Sequence, residues 1–188
     1  MAAAIKIVAL SGSIRKASNN TGLIRAAIEL TKNVVEGVEI ENVDISNLPL
    51  LNTYLEKEGT YPAEIEAFRQ KIVAADAFLF ASPDYNNSDY NNSLFALKNA
   101  IAWASRPPNV WTGKPAAIVN GGGGHGSAKL HYHLRQHGVF LDDHFLNVFL
   151  PPAKFNSDGD LIDEGAKNNL KAVLLSLKAF TLKLQGKN

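Results

Sequence analysis

The stretch "IKIVALSGSIRKASNNTGLIRAAIEL", residues 5–30, decides the fold. Its first part, residues 5–10, is a short and nearly continuous apolar run, which is typical of a strand buried on both faces. Small polar residues and a glycine end this run, and apolar residues then recur at helical spacing over residues 20–33. The stretch therefore predicts a buried strand, a polar loop and a helix, in that order.

The same order of elements repeats along the chain. Further strands are predicted at residues 38–45, 77–81, 114–119 and 138–150, and further helices at residues 62–75, 94–104, around 132–136 and at 164–184. A right-handed crossover places each helix on a face of a parallel sheet. We therefore expect an α/β fold, a flavodoxin-like three-layer sandwich with a five-stranded parallel sheet, formed by residues 1–188 as a single domain.

Composition narrows the function classes. The chain has 188 residues, a formal net charge of +1 and no cysteine, so disulfides and thiolate chemistry are excluded. The scattered Lys and Arg residues argue against a nucleic acid partner, and the absence of an apolar run of about 18 to 20 residues argues against membrane insertion. Because the N-terminal apolar run is too short for a signal peptide, we expect a cytoplasmic protein.

Three loops follow predicted strands, after residues 10, 81 and 119. In doubly wound sheets, ligands bind beyond the carboxyl ends of the strands, where the strand order reverses. The first loop carries hydroxyl, amide and guanidinium groups before a helix N-terminus, which favours an anion such as phosphate; an ordinary solvated loop with an N-cap is the alternative. These candidate anion ligands are Ser11, Ser13, Arg15, Ser18 and Asn20. No Gly-Lys-Ser/Thr ending follows, so cleavage of nucleoside triphosphates has no support.

The second loop contains two consecutive five-residue copies that each end in Asp-Tyr-Asn, in residues 82–91. Pro83 cannot continue a strand's hydrogen bonds, and Asp84, Tyr85 and Asn86 favour turns, so the chain leaves the sheet here and presents an aromatic ring. Such a rim suits a flat heterocycle, and a polar loop with one surface tyrosine is the alternative. Which of the two copies forms the rim stays open at this point.

The third loop, "NGGGGHG" at residues 120–126, offers free backbone N–H groups to a ligand. It matches G-x-G-x-x-G, but that fingerprint normally follows the first strand, so a flexible loop is the alternative. His133 and His137 stand four residues apart, yet no neighbouring acid completes a zinc motif, and packing or a subunit contact is favoured for the histidines His131, His133, His137 and His144. No G-x-S-x-G motif is present, which argues against a hydrolase of that type.

The segments around these loops resemble the NADPH-dependent FMN reductase family, and within it the plant-type NAD(P)H:quinone oxidoreductases. The resemblance lies in "ALSGSIRKASNNTGLIRAA", "FASPDYN", "LKNAIAWASRPPNVW", "KPAAI", "YHLRQHGVFLD" and "LLSLKAFTLKLQGK", which together span most of the chain. It implies a flavodoxin-like fold, one non-covalent FMN per subunit, NADPH or NADH as co-substrate, and a dimer or tetramer with flavin sites near subunit contacts.

The resemblance also assigns residues to the cofactor. The FMN phosphate would lie on Ser11, Ser13, Arg15, Ser18 and Asn20, the isoalloxazine against Pro83, Asp84, Tyr85 and Asn86, and the pyrimidine end at the backbone of Gly122, Gly123 and Gly124. It implies ping-pong hydride transfer through flavin N5 to a quinone, with Tyr85 for positioning and no catalytic side chain.

Four features depart from the family pattern: Asp84 in place of Glu, about four extra residues within 87–96, a shorter segment after Val148, and a glycine loop that contains His125. These departures fall on or near the expected site. They keep open a second function, an FMN-binding electron carrier or regulatory protein with little NADPH oxidation. A third, a Rossmann-type nicotinamide enzyme, follows from the glycines of residues 121–126.

Overall fold

The computed structural model describes residues 4–57, 59–82, 92–121, 127–141 and 152–187. In chain order, its strands and helices are β1 (Ile5–Ser11), α1 (Asn19–Asn33), β2 (Val38–Asn42), α2 (Ala63–Ala74), β3 (Ala77–Ala81), α3 (Asn92–Ser105), β4 (Pro115–Val119), α4 (Ser127–Gln136), β5 (Phe140–Leu141) and α5 (Glu164–Leu184). Strands and helices alternate from β1 to α4, as the sequence pattern predicts.

The strands form one parallel sheet in the order β2-β1-β3-β4-β5. From β1 the chain moves outward to β2 and then crosses back to β3, so the strand order reverses between β1 and β3. This confirms the flavodoxin-like α/β fold with a parallel sheet. It also identifies the edge at which such folds bind ligands.

The predicted fifth strand over residues 138–150 needs correction. Four strands have five to seven residues, whereas β5 pairs with β4 over only Phe140 and Leu141. The strand begins later than predicted because Gly138, with a φ of +77°, lies in the turn that closes α4. Residues 142–151 lie outside the described part of the chain.

The core consists of two layers, one on each face of the sheet. In β1, Ile7 and Ala9 face one side, where Leu23 of α1 and Leu174 of α5 pack against them. The alternate strand residues face the other side, where α2, α3 and α4 contribute apolar side chains that include Phe68, Leu97 and Leu134. Since β3 and β4 are buried at every position, both read as continuous apolar runs in the sequence.

The strand β2 ends at Asn42, three residues before the predicted end. The Val43 N–H still donates to the Ala9 carbonyl at 3.0 Å, but the Asp44 carboxylate then accepts the Ser46 N–H at 2.9 Å and turns the chain. Apolar residues at 43 and 45 mimic a strand although they pack in the core beside this turn. Residues 42–46 are thereby brought next to the loop that follows β1.

A buried arginine joins α2 to the end of α3. The Arg69 side chain is 4% exposed and donates to the carbonyls of Trp103 at 2.8 Å, Arg106 at 3.0 Å and Pro108 at 2.7 Å. Its guanidinium also lies 4.4 Å from the centre of the Tyr61 ring. The positive charge is therefore solvated by carbonyl dipoles and an aromatic face, and it orders the chain after α3.

Candidate cofactor site

Three strand ends meet at the predicted edge of the sheet. Ser11 pairs in register with Ala81, and Ala81 pairs with Val119. The Gly12 N–H donates to the Ala81 carbonyl at 2.8 Å, and the Ser82 N–H donates to the Val119 carbonyl at 3.1 Å. The three candidate loops consequently start side by side at the reversal of strand order.

The first loop is shaped by its own hydroxyl groups. The Ser11 Oγ lies 3.0 Å from the Thr21 Oγ1 and accepts the Ser13 N–H at 3.2 Å. The Ser18 Oγ accepts the Thr21 N–H at 3.5 Å and caps α1. Two predicted phosphate ligands, Ser11 and Ser18, therefore also hold the loop in shape.

The Ser13 hydroxyl is available to donate to an anion. Its side chain is 8% exposed, and its Oγ has no hydrogen-bond partner among the described residues. A buried hydroxyl without a partner costs about 1–3 kcal/mol, which a bound acceptor would recover. No acidic residue lies in the first turn of α1, so the positive end of the helix is not neutralised there. A phosphate group suits these donors.

A cavity of about 340 Å³ lies between the first loop and residues 42–46. Arg15 and Lys16 supply the positive charges on its wall, and both side chains are exposed. Asp44 also lines it; the hydrogen bond from the Ser46 N–H keeps the pKa of this carboxyl below its ordinary value, so it is ionised at neutral pH. The wall thus carries two cations and one carboxylate.

Asn20 has a contact that sequence reasoning missed. It is buried, and its Oδ1 accepts the Gly121 N–H at 2.9 Å, which ties α1 to the chain leaving β4. A Cβ on Gly121 would lie 3.1 Å from the Asn19 Cβ, so a side chain would crowd this approach. Asn20 as a phosphate ligand stays a prediction, and its amide also links the first loop to the third.

The model of the NADPH-dependent FMN reductase family matches residues 5–155, which contain all three loops. The chain belongs to this family. The predicted family resemblance is thereby confirmed.

Relatives of this FMN reductase family member cover nearly its whole length. It is 60% identical to a protein named NADPH:quinone oxidoreductase from Arabidopsis thaliana, over 97% of this chain and 95% of that protein. It is 58% identical to a protein named NAD(P)H:quinone oxidoreductase from Solanum tuberosum, over 97% and 96%. Among solved structures, the flavoenzyme FerB of Paracoccus denitrificans superimposes with a TM-score of 0.74 at 26% identity, over 97% and 98%.

The predicted ring contacts of this FMN reductase fall outside the described residues. They are Pro83, Asp84, Tyr85, Asn86, Gly122, Gly123 and Gly124. The structure describes their neighbours: Ser82 and Asn120 are buried, and each directly follows one of two adjacent strands. Both segments therefore leave the sheet from neighbouring positions, and the ring contacts themselves stay predictions.

An apolar hollow of about 250 Å³ adjoins the cavity of the first loop. Leu48 and Leu50 line it from the chain after β2, Ile14 from the first loop, and Phe95 from α3. Ile14, Leu50 and Phe95 are each more than half exposed. Sequence reasoning passed over these residues because isolated apolar residues in loops carry no periodic signal.

Two buried side chains of α3 hold the wall of this hollow. The Asn99 Oδ1 accepts the Leu51 N–H at 2.8 Å, and its Nδ2 donates to the Pro49 carbonyl at 2.9 Å. The Trp103 Nε1 donates to the same carbonyl at 2.7 Å. The exposed leucines next to the candidate site are therefore presented on an ordered segment.

The histidines show no metal cluster among the residues that the structure describes. The Nδ1 of His137 lies 2.8 Å from the Ser105 Oγ, which places this ring against the end of α3. Burial lowers the pKa of His137, so the ring is neutral at pH 7. This contact agrees with the predicted packing role; His144 lies outside the described residues.

Among the residues that the structure describes, no helix combines the length and the apolar character that a membrane span requires.

Proposed function

We propose that this protein is an FMN-dependent NAD(P)H:quinone oxidoreductase that reduces quinones by two electrons in a ping-pong reaction. The observation that carries the proposal is the buried Ser13 hydroxyl, which has no hydrogen-bond partner among the described residues. It lies in the loop between β1 and α1, at the reversal of strand order, in a member of the FMN reductase family. Relatives that are 58% to 60% identical carry the name of this activity.

The described residues supply the phosphate end of the proposed FMN site. Ser13 and the N–H groups of the first turn of α1 donate to the phosphate, and Arg15 supplies the positive charge. Ser11 and Ser18 keep the loop closed around it, and Asn20 holds the third loop nearby. Bound FMN would supply hydride chemistry at its N5 atom.

The proposed ring contacts orient the reactants. Pro83, Asp84, Tyr85 and Asn86 border the flat face of the isoalloxazine, and the backbone of Gly122, Gly123 and Gly124 donates to its pyrimidine end. No side-chain nucleophile is required, because the rate depends on holding the nicotinamide or the quinone parallel to the ring at short distance. Tyr85 is the residue proposed for that positioning.

Absorbance spectroscopy tests the function. The purified protein should be yellow and should release FMN on denaturation; NADPH added under argon should bleach it, and a benzoquinone should restore the oxidised spectrum. A flavin that stays oxidised with excess NADPH and NADH would instead indicate an electron carrier or regulatory protein. A colourless protein that binds nicotinamide nucleotides would indicate the Rossmann-type alternative.

Arg15→Ala should raise the Kd for FMN about tenfold or more, because a charge-assisted hydrogen bond to phosphate is lost. Titration of the apoprotein with FMN, followed by flavin fluorescence, measures the change. Lys32→Ala is the matched control, since it removes one positive charge from an exposed position in the last turn of α1. An unchanged Kd in the Arg15 variant would contradict the phosphate assignment.

The location, the domain organisation and the oligomeric state also belong to the proposal. We propose a cytoplasmic protein of one domain, with a fifth strand that begins at Phe140 and continues beyond Leu141, which associates as a dimer or tetramer. The exposed Ile14, Leu50 and Phe95, which together line the apolar hollow beside the candidate site, support self-association, because monomers rarely expose large apolar patches. Light scattering during size-exclusion chromatography measures the oligomer, and a monomer at micromolar concentration would contradict it.

A further inference from the structure

A turn near the C-terminal end of the chain lies directly behind the first loop. A Cβ built on Gly22 of α1 would lie 1.7 Å from the Gly159 carbonyl oxygen. A Cβ on Gly159 would lie 3.0 Å from backbone atoms of both Ala17 and Ser18. The two backbones therefore touch without side chains between them, at the N-cap of the helix that faces the proposed phosphate.

The turn, residues 156–161, is ordered by its own hydrogen bonds. The Asn156 Oδ1 accepts the N–H groups of Asp158 at 3.0 Å and Asp160 at 2.8 Å, and the Gly159 N–H donates to the Asn156 carbonyl at 3.0 Å. Phe155 and Leu161 pair on either side of the turn and are buried in the core layer that contains α1. The turn is therefore held by its own hydrogen bonds and is anchored in the core by Phe155 and Leu161.

Arg25 joins this turn to α1. Its Nε donates to the Asp160 Oδ1 at 2.5 Å, and its Nη2 donates to the Asp158 carbonyl at 3.0 Å. The side chains of Arg25 and Asp160 are 40% and 46% exposed, so neither is needed to fill the core. The hydrogen bond from Arg25 is also the main reason that the pKa of Asp160 lies below its ordinary value.

We propose that Arg25 and Asp160 are positioning residues for the FMN phosphate. By holding the turn against Ala17 and Ser18, they fix the end of the loop from which Ser13 and the α1 N–H groups act. The inference rests on the proposed function and deepens it. Arg25 and Asp160 were not among the predicted cofactor ligands, and the turn lies outside the residues that match the family model.

The test compares FMN with riboflavin, which lacks the phosphate. The apoproteins of Arg25→Gln and Asp160→Asn are titrated with each flavin, and the fluorescence gives each Kd. We expect the Kd for FMN to rise about fivefold in both variants, and the Kd for riboflavin to stay within about twofold. Arg25→Lys, which keeps the charge, should recover part of the FMN affinity.

The matched control is Lys167→Gln, which breaks the exposed ion pair between Lys167 and Glu164 on α5. This variant should keep the affinity of the unmodified protein for both flavins. Thermal unfolding of every variant confirms that it is folded, and Asp160→Asn, which barely changes volume, provides a second route if the Arg25 variants unfold.

The outcomes separate the inference from the proposed function. A fall in FMN affinity with unchanged riboflavin affinity supports the positioning role. Equal losses for the two flavins, or no loss in either variant, would overturn it while the proposed function stands. If the unmodified protein binds neither flavin, the proposed function is wrong and the inference is overturned with it.

Discussion

Gly22→Ala is expected to lower the free energy of unfolding by about 3 kcal/mol, near the upper end for overpacking. The new Cβ would lie 1.7 Å from the Gly159 carbonyl oxygen, so either α1 or the turn of residues 156–161 must move. Both contacting groups are backbone, and neither can rotate away as a flexible side chain would. The same movement displaces Ser18, so we also expect a large loss of FMN affinity.

Gly165→Ala is the control for this variant. Gly165 also lies within a helix, but among the residues that the structure describes its new Cβ would meet only the Asp163 Oδ1, at 3.3 Å. Helix propensity alone favours alanine over glycine by about 1 kcal/mol in a helix interior, so the loss expected for Gly22→Ala comes from the close contact. Urea unfolding of both variants, with FMN titrations, measures the difference. Equal stability of Gly22→Ala and the unmodified protein would contradict the close contact between α1 and the turn.

Arg69→Met is expected to lower the free energy of unfolding by about 3 kcal/mol. Methionine keeps much of the side-chain volume, but three carbonyls lose their charged donor, those of Trp103, Arg106 and Pro108. The contact between the guanidinium and the Tyr61 ring is lost as well. Because the Trp103 Nε1 also donates to the Pro49 carbonyl, we expect residues 48–51 beside the apolar hollow to become less ordered.

Lys71→Met is the control, since Lys71 lies on the same helix and carries the same charge. It is 46% exposed and pairs with Glu41 at 2.5 Å, a surface contact worth at most about 1 kcal/mol. Chemical unfolding of the two variants should therefore differ by about 2 kcal/mol or more. A similar loss in both would mean that the buried carbonyl contacts of Arg69 contribute little.

Local patterns predicted most of the fold. The strand β3 and the helix α5 have the predicted bounds, because one is a continuous apolar run and the other is long and amphipathic. The strand β2 was predicted too long, since the apolar Val43 and Ile45 pack in the core from a turn. Its true end depends on the hydrogen bond between Asp44 and Ser46, which hydrophobic spacing does not encode.

The candidate site was predictable where it depends on topology. Loops after parallel strands lie at one edge, so the meeting of Ser11, Ala81 and Val119 follows from the order of elements. Two hydrogen bonds could not be predicted from the sequence, the one between Asn20 and Gly121 and the one between Arg25 and Asp160. They join positions that are 101 and 135 residues apart. Such contacts depend on how the helices pack on the sheet, which the spacing of apolar residues within one segment does not predict.

The contact between Gly22 and Gly159 also concerns the order in which the protein is made. The loop proposed to hold the phosphate leaves the ribosome well before the turn that supports it, because more than 130 residues separate Gly22 from Gly159. The core layer under α1 likewise includes α5, which ends at Leu184. Cofactor uptake should therefore follow synthesis of the turn and of α5, and a nascent chain that stops before the turn should not retain FMN.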